Sequence, residues 1–456
     1  MKLHVSIVPG MPAFVFTLLV CSAAALAQPP GGFGGRGAPA EEVIPDPVVA
    51  PIPAIAPITG AGNVYDSSAA LWPDMGVEHF DYVIDEYRIS GTAAGAPYET
   101  RLVIRKPRDN SKFSGLVVAE AMHPAGAAHA FEYNSLYLMD EGHIAVEIDT
   151  SGVEQIAAYN PERYGFVKFA NDQTNEILAQ AGALIKSDMS PIASMGLRKM
   201  VLWGTSASSG ILVNYLPSNK VFKLADMQNI YDGFMPTMNG STIRPVDVPM
   251  IQVPTQREYQ SVATAAQDSD EAGQQMRIYE FPGMAHLDTR NTSKRFTQED
   301  CIHPLSKFPI DAYTSVALHH LLQWVDKGTI PPRAPRAIMD LFVENDGSLM
   351  QLDEYGNPMG GIRNVYVDLP TAKYTMINEP NPNSTGPGLG RMQTPLLCSL
   401  SGWETVMSQE SLRSKYGDAA SYVRMVEARL NELEQAGWSL PVYHEIIMND
   451  AKSVTF

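Results

Sequence analysis

Short apolar runs alternate along this chain with segments whose apolar residues recur every three to four positions. The runs "GLVVAEAM" (115–122), "HIAVEID" (143–149), "KMVLWGT" (199–205), "VPMIQVPT" (248–255) and "MRIYEF" (276–281) are too short for buried helices. Continuous apolar runs of that length are the pattern of strands buried on both faces. "PYETRLVIRKP" (97–107) alternates instead, as a half-buried strand does. Between the strands, "NEILAQAGALIKS" places Ile177, Ala181 and Leu184 on one helical face. "YTSVALHHLLQWVDKG" aligns Ala317, Leu321 and Trp324, and Gly328 is a suitable stop before Pro331 and Pro332. Tyr422, Val426, Leu430 and Leu433 form a further stripe across 418–436, ended by Gly437. Buried strands separated by helices predict an α/β fold, a doubly wound and mostly parallel sheet with helices on both faces. Right-handed crossovers then gather the strand C-terminal ends along one edge, where ligand sites form.

The pattern lapses at both ends of this core. "PAFVFTLLVCSAAALA" is an apolar run closed by Ala25-Leu26-Ala27, a small-x-small cleavage site. It predicts a signal peptide over 1–27, and hence a secreted or periplasmic protein. Residues 28–60 are rich in Pro, Gly and Ala and read as a linker that cannot bury a core. The core is expected over 61–332. Residues 333–456 are expected to pack on it as a cap or buttress, with turns such as "EYGNPMGG" and "NPNSTGPGLG" and a small hairpin. No later run has the length of a transmembrane helix.

Composition adds exclusions. At 456 residues, 45% apolar and 18% charged, the chain is ordinary globular material. A net charge of −17 disfavours nucleic acid or anionic membrane as a partner. After cleavage two cysteines remain, Cys301 and Cys398, and one bridge or two buried thiols both stay open. The chain has no His-Glu-x-x-His motif, dinucleotide glycine loop or phosphate-cradling loop, so no metal or cofactor is expected.

The candidate chemistry lies in "KMVLWGTSASSGILVNY" (199–215), where a buried strand turns sharply into a helix. A serine at the apex of such a turn projects its hydroxyl from the sheet edge, and its neighbours must be small. Gly204, Ala207, Ser208 and Ser209 meet that need around Ser206, with Ser208 where a second glycine is usual. A serine needs a base, and the base needs an orienting carboxylate. His286 in "YEFPGMAHLD" follows one predicted strand, and Glu258 in "QRE" follows another. Ser206, Glu258 and His286 thus run in the order serine, acid, histidine. Asp232, after the possible strand "ADMQNIY", is the alternative acid; Asp247 precedes its strand, and Asp288 is too near His286 in sequence. The backbone N–H of Ala207 and a backbone donor at Met122 or His123, in the loop after "GLVVAEAM", are the expected oxyanion hole. In the loop after "GLVVAEAM", His123 and His129 read as histidines without a catalytic role. Phe234, Met235 and Met238 are apolar candidates either for a pocket mouth or for the core.

Together "GTSASSG", "FPGMAHLD", "LLQWVDKGTIPPRAPR", "DEYGNPMGGIRNVYVDLPTAKY" and "YGDAASYVRMVEARLNELEQAGW" resemble a family, from about Tyr82 to the C-terminus. It comprises the bacterial α/β-hydrolase-domain proteins with a Gly-x-Ser-Gln-Ser/Thr core and a long C-terminal extension. The resemblance implies a serine hydrolase acting on esters. It also implies acidic residues at two positions, of which the first is Gln256 here and the second is Glu258, so the resemblance favours Glu258 as the acid. Ala207 stands where the family has Gln, and His123 where it has Asn. The expectation is a carboxylic ester hydrolase with a small-molecule ester as substrate. An acyltransferase or peptidase using the same triad, and a non-catalytic binding protein on the same fold, are the alternatives.

Overall fold

The computed structural model describes residues 45–68, 71–262, 267–290, 298–340, 349–384 and 394–456. The signal peptide expected over 1–27 lies outside them, as do 28–44. The described strands are β1 (Val48–Val49), β2 (Ala54–Pro57), β3 (Tyr82–Ala93), β4 (Ala96–Pro107), β5 (Leu116–Ala121), β6 (Ile144–Ile148) and β7 (Lys199–Thr205). They continue with β8 (Phe222–Lys223), β9 (Gly233–Thr237), β10 (Met250–Gln252), β11 (Met276–Ile278), β12 (Ala372–Thr375) and β13 (Trp403–Val406).

The main sheet has the order β2-β3-β4-β6-β5-β7-β9-β10-β11. From β6 to β11 every pairing is parallel, while β2, β3, β4 and β6 pair antiparallel. Alternation along β7 explains the two-layered core. Val201 and Trp203 enter one apolar cluster, with the helix Ile310–Lys327; Met200 and Leu202 enter the other, with the helices Thr174–Ile185 and Ser206–Tyr215. Side chains on a strand alternate between faces, so one strand serves both layers. The helix stripes land as patterned: Ile177, Ala181, Leu184, Ala317 and Leu321 are fully buried, and Trp324 nearly so. Gly328 ends its helix at φ 69°, a left-handed conformation that suits glycine.

Two differences from the sequence reading stand out. The proline-rich stretch taken as linker up to residue 60 already carries structure from Val48 on. Strand β2 pairs with β3 from Ala54↔Ser90 to Pro57↔Tyr87. Proline cannot donate to a ladder, yet an edge strand leaves one side unpaired, and β2 lies at the sheet's edge. The second difference is a buried ionic network. Arg101 bonds Glu86 (2.7 Å), Glu147 (3.2 Å) and Asp149 (3.3 Å), and Arg105 bonds Glu147 (2.8 Å). Alternation along β4 and β6 puts these charges on one face, where only mutual pairing makes burial tolerable.

The C-terminal segment shares the first core cluster. Tyr422, Val426, Leu430 and Leu433 of the helix Ala419–Gln435 are buried with Tyr313, Val316 and Phe281. In place of the small hairpin expected in 333–400, β12 pairs antiparallel with β13, which lies beyond residue 400, from Ala372↔Val406 to Thr375↔Trp403. Cys301 and Cys398 form a disulfide.

Candidate active site

Strand β7 ends at Thr205, and the helix Ser206–Tyr215 starts with the very next residue. Ser206 sits between them at φ 51°, in the left-handed region that a non-glycine residue rarely enters. Such strain persists where the surrounding structure over-determines it. The small neighbours have distinct uses. A Cβ on Gly204 would lie 2.6 Å from the Ser208 carbonyl oxygen, so this position requires glycine. Ser208 donates its hydroxyl to the Thr205 carbonyl (2.9 Å) and accepts the Thr205 amide (3.0 Å), closing the turn where a glycine is usual. Ser206 is half-buried and Ala207 exposed, so the hydroxyl is reachable from solvent.

The structure brings together the three residues singled out in the sequence. His286 Nε2 lies 2.8 Å from Ser206 Oγ, and His286 Nδ1 lies 2.7 Å from Glu258 Oε1. Each follows a strand C-terminal end: Ser206 after β7, Glu258 after β10, His286 after β11. Parallel pairing of β7, β9, β10 and β11 puts those ends on one edge. Burial alone disfavours the Glu258 carboxylate. The His286 hydrogen bond and charge, with bonds from the Thr255 hydroxyl and amide (the amide at 2.7 Å), outweigh burial and hold its pKa below the usual range.

The alternative acid is placed elsewhere. No strand forms over "ADMQNIY"; β9 begins after Asp232, which puts this residue at the N-terminal edge. Its carboxylate accepts from Lys186 (2.7 Å), Lys199 (3.3 Å) and the Met200 amide (2.8 Å). Asp247 pairs with Lys223 at 3.5 Å. The oxyanion donor expected at Met122 is corrected. The Met122 amide donates to the Ile148 carbonyl (3.0 Å), because β5 continues its ladder with β6 by one more bond. Ala207 stands in the first turn of its helix, where amides have no intrahelical acceptor. Phe234, Met235 and Met238 are all core residues.

Gln256 and Thr255 are supporting residues that sequence reasoning missed. Gln256 accepts the Gly283 amide (3.0 Å) through Oε1, and its own amide donates to Met284 (3.2 Å), tying the acid loop to the histidine loop. The segment Thr394–Ser401 lies against both loops. The Leu287 amide donates to Leu400 (2.9 Å), and Arg257 donates to the Ser399 carbonyl (2.8 Å). No local sequence signal marks such long-range partners. Among the described residues no group of three or more His, Cys, Asp or Glu could hold a metal, and no helix is long and apolar enough to cross a membrane.

Several solved structures are similar to parts of this chain. A cold-adapted esterase from an Arctic intertidal metagenomic library is 15% identical over 43% of this chain and 84% of its own, at a TM-score of 0.27. A dienelactone hydrolase from Anabaena variabilis is 12% identical over 46% and 91%, at 0.28. Brefeldin A esterase, a bacterial homologue of human hormone sensitive lipase, is 10% identical over 47% and 72%, at 0.30. TM-scores this low carry no weight in assigning a fold or an activity. No curated protein matches the chain. A family profile does: the alpha/beta hydrolase domain matches residues 50–449, and with its mostly parallel sheet and strand order the chain belongs to that family.

Proposed function

We propose that the protein is a serine hydrolase that cleaves carboxylic esters through an acyl-enzyme on Ser206. The observation that carries this reading is the unbroken chain of hydrogen bonds from Ser206 through His286 to Glu258, at a strained, solvent-reachable turn. As Ser206 Oγ bonds to the ester carbonyl carbon, the π electrons move to the carbonyl oxygen and the hydroxyl proton passes to His286 Nε2. Collapse of the tetrahedral intermediate breaks the bond to the alkoxide, which takes that proton. Water then repeats the sequence against the acyl-enzyme, and the acid leaves. Glu258 holds the imidazole with Nδ1–H directed toward itself and stabilises the imidazolium. The Ala207 amide supplies one oxyanion donor, typically about 3 kcal/mol in the transition state. The leader expected over 1–27 and the Cys301–Cys398 disulfide support a secreted or periplasmic location, since disulfides persist in oxidising compartments.

The test is labelling with a fluorophosphonate probe alongside turnover of short-chain and aryl esters. The wild-type protein is expected to label and turn over. Ser206→Ala is expected to do neither while melting at the same temperature. Labelling that persists in the variant moves the nucleophile elsewhere, and an unlabelled wild type points to a binding protein. An added alcohol acceptor separates a hydrolase from an acyltransferase.

A further inference from the structure

We infer that a cavity in the C-terminal segment binds a small organic amine as its ammonium. The cavity measures about 360 Å³, a size suited to a small ligand. None of Ser206, Glu258 and His286 lines it. Its floor is one face of the β12–β13 pair. Ala372 stands opposite Val406 and Tyr374 opposite Glu404, and directly opposed residues project from the same face. All four line the cavity. The helices Gln409–Tyr416, Ala419–Gln435 and His444–Ser453 wall it with Leu412, Tyr422, Val426 and Ile447.

Two polar groups on that floor lack the partners their burial calls for. Glu404 is 8% exposed and Tyr374 is 4% exposed. The Glu404 carboxylate accepts the Lys307 amide at Oε2 (2.9 Å). Among the described residues its Oε1 has no donor, its carboxylate has no ion-pair partner, and the Tyr374 hydroxyl has no hydrogen-bond partner. Neither free atom is sealed against protein; both open on the cavity. The neighbouring acid differs. Asp450 accepts both Arg290 Nη groups (2.8 Å each) and the Tyr366 hydroxyl (2.6 Å), so it is already satisfied. Lys307 also lines the cavity, but it is exposed and makes no ion pair with Glu404. Burial accordingly dominates at Glu404. Burial and the Asp450 charge raise its pKa above the usual range, against the Lys307 amide bond and the Lys307 and Arg290 charges. A primary ammonium would supply the missing countercharge and N–H donors for Glu404 Oε1 and the Tyr374 oxygen. Tyr366 and Tyr374 meet at 77° with centroids 6.5 Å apart, aromatic walls of the kind that favour a cation. An anion would meet Glu404 unpaired, and a hydrocarbon would leave both polar groups unsatisfied.

The experiment is titration calorimetry at about pH 8, where benzylamine and butylamine are protonated, against the neutral isosteres benzyl alcohol and butanol. The wild-type protein is expected to bind at least one amine about tenfold tighter than its alcohol, and Glu404→Gln is expected to abolish that preference. Tyr374→Phe removes one neutral acceptor and should weaken the amine about threefold. Amine binding should survive in Ser206→Ala, and ester turnover should stay within about twofold in Glu404→Gln and Tyr374→Phe, which separates this cavity from the serine site. An amine that binds no tighter than its alcohol, or a preference that persists in Glu404→Gln, overturns the inference. So does amine binding that appears only in Lys307→Met, because Lys307 is then the partner of Glu404. If Glu404→Gln melts early, Tyr374→Phe decides, and an amine affinity unchanged in that variant overturns the inference.

Discussion

The two ends of the same parallel strands each hold a carboxylate of nearly equal burial, put to opposite use. The side chain of Asp232 is 15% exposed and that of Glu258 is 13% exposed. Asp232, ahead of β9, faces two ammonium groups, Lys186 and Lys199. Glu258, beyond β10, faces an imidazole whose other nitrogen touches a serine. Burial therefore does not separate a structural acid from a candidate catalytic one; the partner does. A lysine ammonium next to a carboxylate stays charged, and the pair closes on itself. An imidazole can take a proton and return it near neutral pH, so the same kind of pair gains a third member.

The largest contrast comes from removing groups at the C-terminal edge. Ser206→Ala should lower kcat by a factor on the order of 10⁵ with no change in melting, read by ester turnover and thermal scans. Glu258→Gln should cost about 10³-fold to 10⁴-fold in kcat, with far less effect on KM, because the imidazole loses its tautomer and its counter-charge. If it costs less than about tenfold, Glu258 is a structural acid like Asp232.

The next effect tests what supports that edge. Cys398→Ser opens a crosslink spanning 97 residues and should cost about 3 kcal/mol of stability in urea melts. Activity should fall with it, since the segment carrying Cys398 supplies the Leu400 carbonyl that holds the Leu287 amide, next to His286. The smallest effect is expected at the opposite edge. Asp232→Ala leaves the largely buried Lys186 without its carboxylate and should cost about 2 kcal/mol, while kcat stays within twofold. A large loss of kcat in that variant would erase the distinction between the two edges.

The candidate site was largely legible because its parts are local patterns. A buried run, a cluster of small residues and an amphipathic run predict the turn at Ser206 without reference to anything distant. Strand direction then places whatever follows "VPMIQVPT" and "MRIYEF" on the same edge, which picks out Glu258 and His286. The reading of Asp232 failed for a local reason too. "ADMQNIY" has strand-like residues, but the Asn219 side chain contacts both the Tyr231 amide and its carbonyl (3.4 Å each), so that backbone pairs with a side chain and β9 starts later. The edge strand β2 was hidden by its prolines, which composition assigns to a linker and which an unpaired edge tolerates.

What the sequence determined by itself was therefore the period of each element, the order of the candidate serine, acid and histidine, and the steric demand at Gly204. Those depend on neighbours within a few positions, where backbone geometry leaves few choices. Only the tertiary structure decided which amides of the loop 122–128 are occupied, that Gln256 ties the acid loop to the histidine loop, and that Cys301 meets Cys398. Each of these joins groups that lie far apart along the chain or hangs on a single hydrogen bond's partner. Hydrogen-bond partners and burial are properties of the packed chain, and no local spacing encodes them.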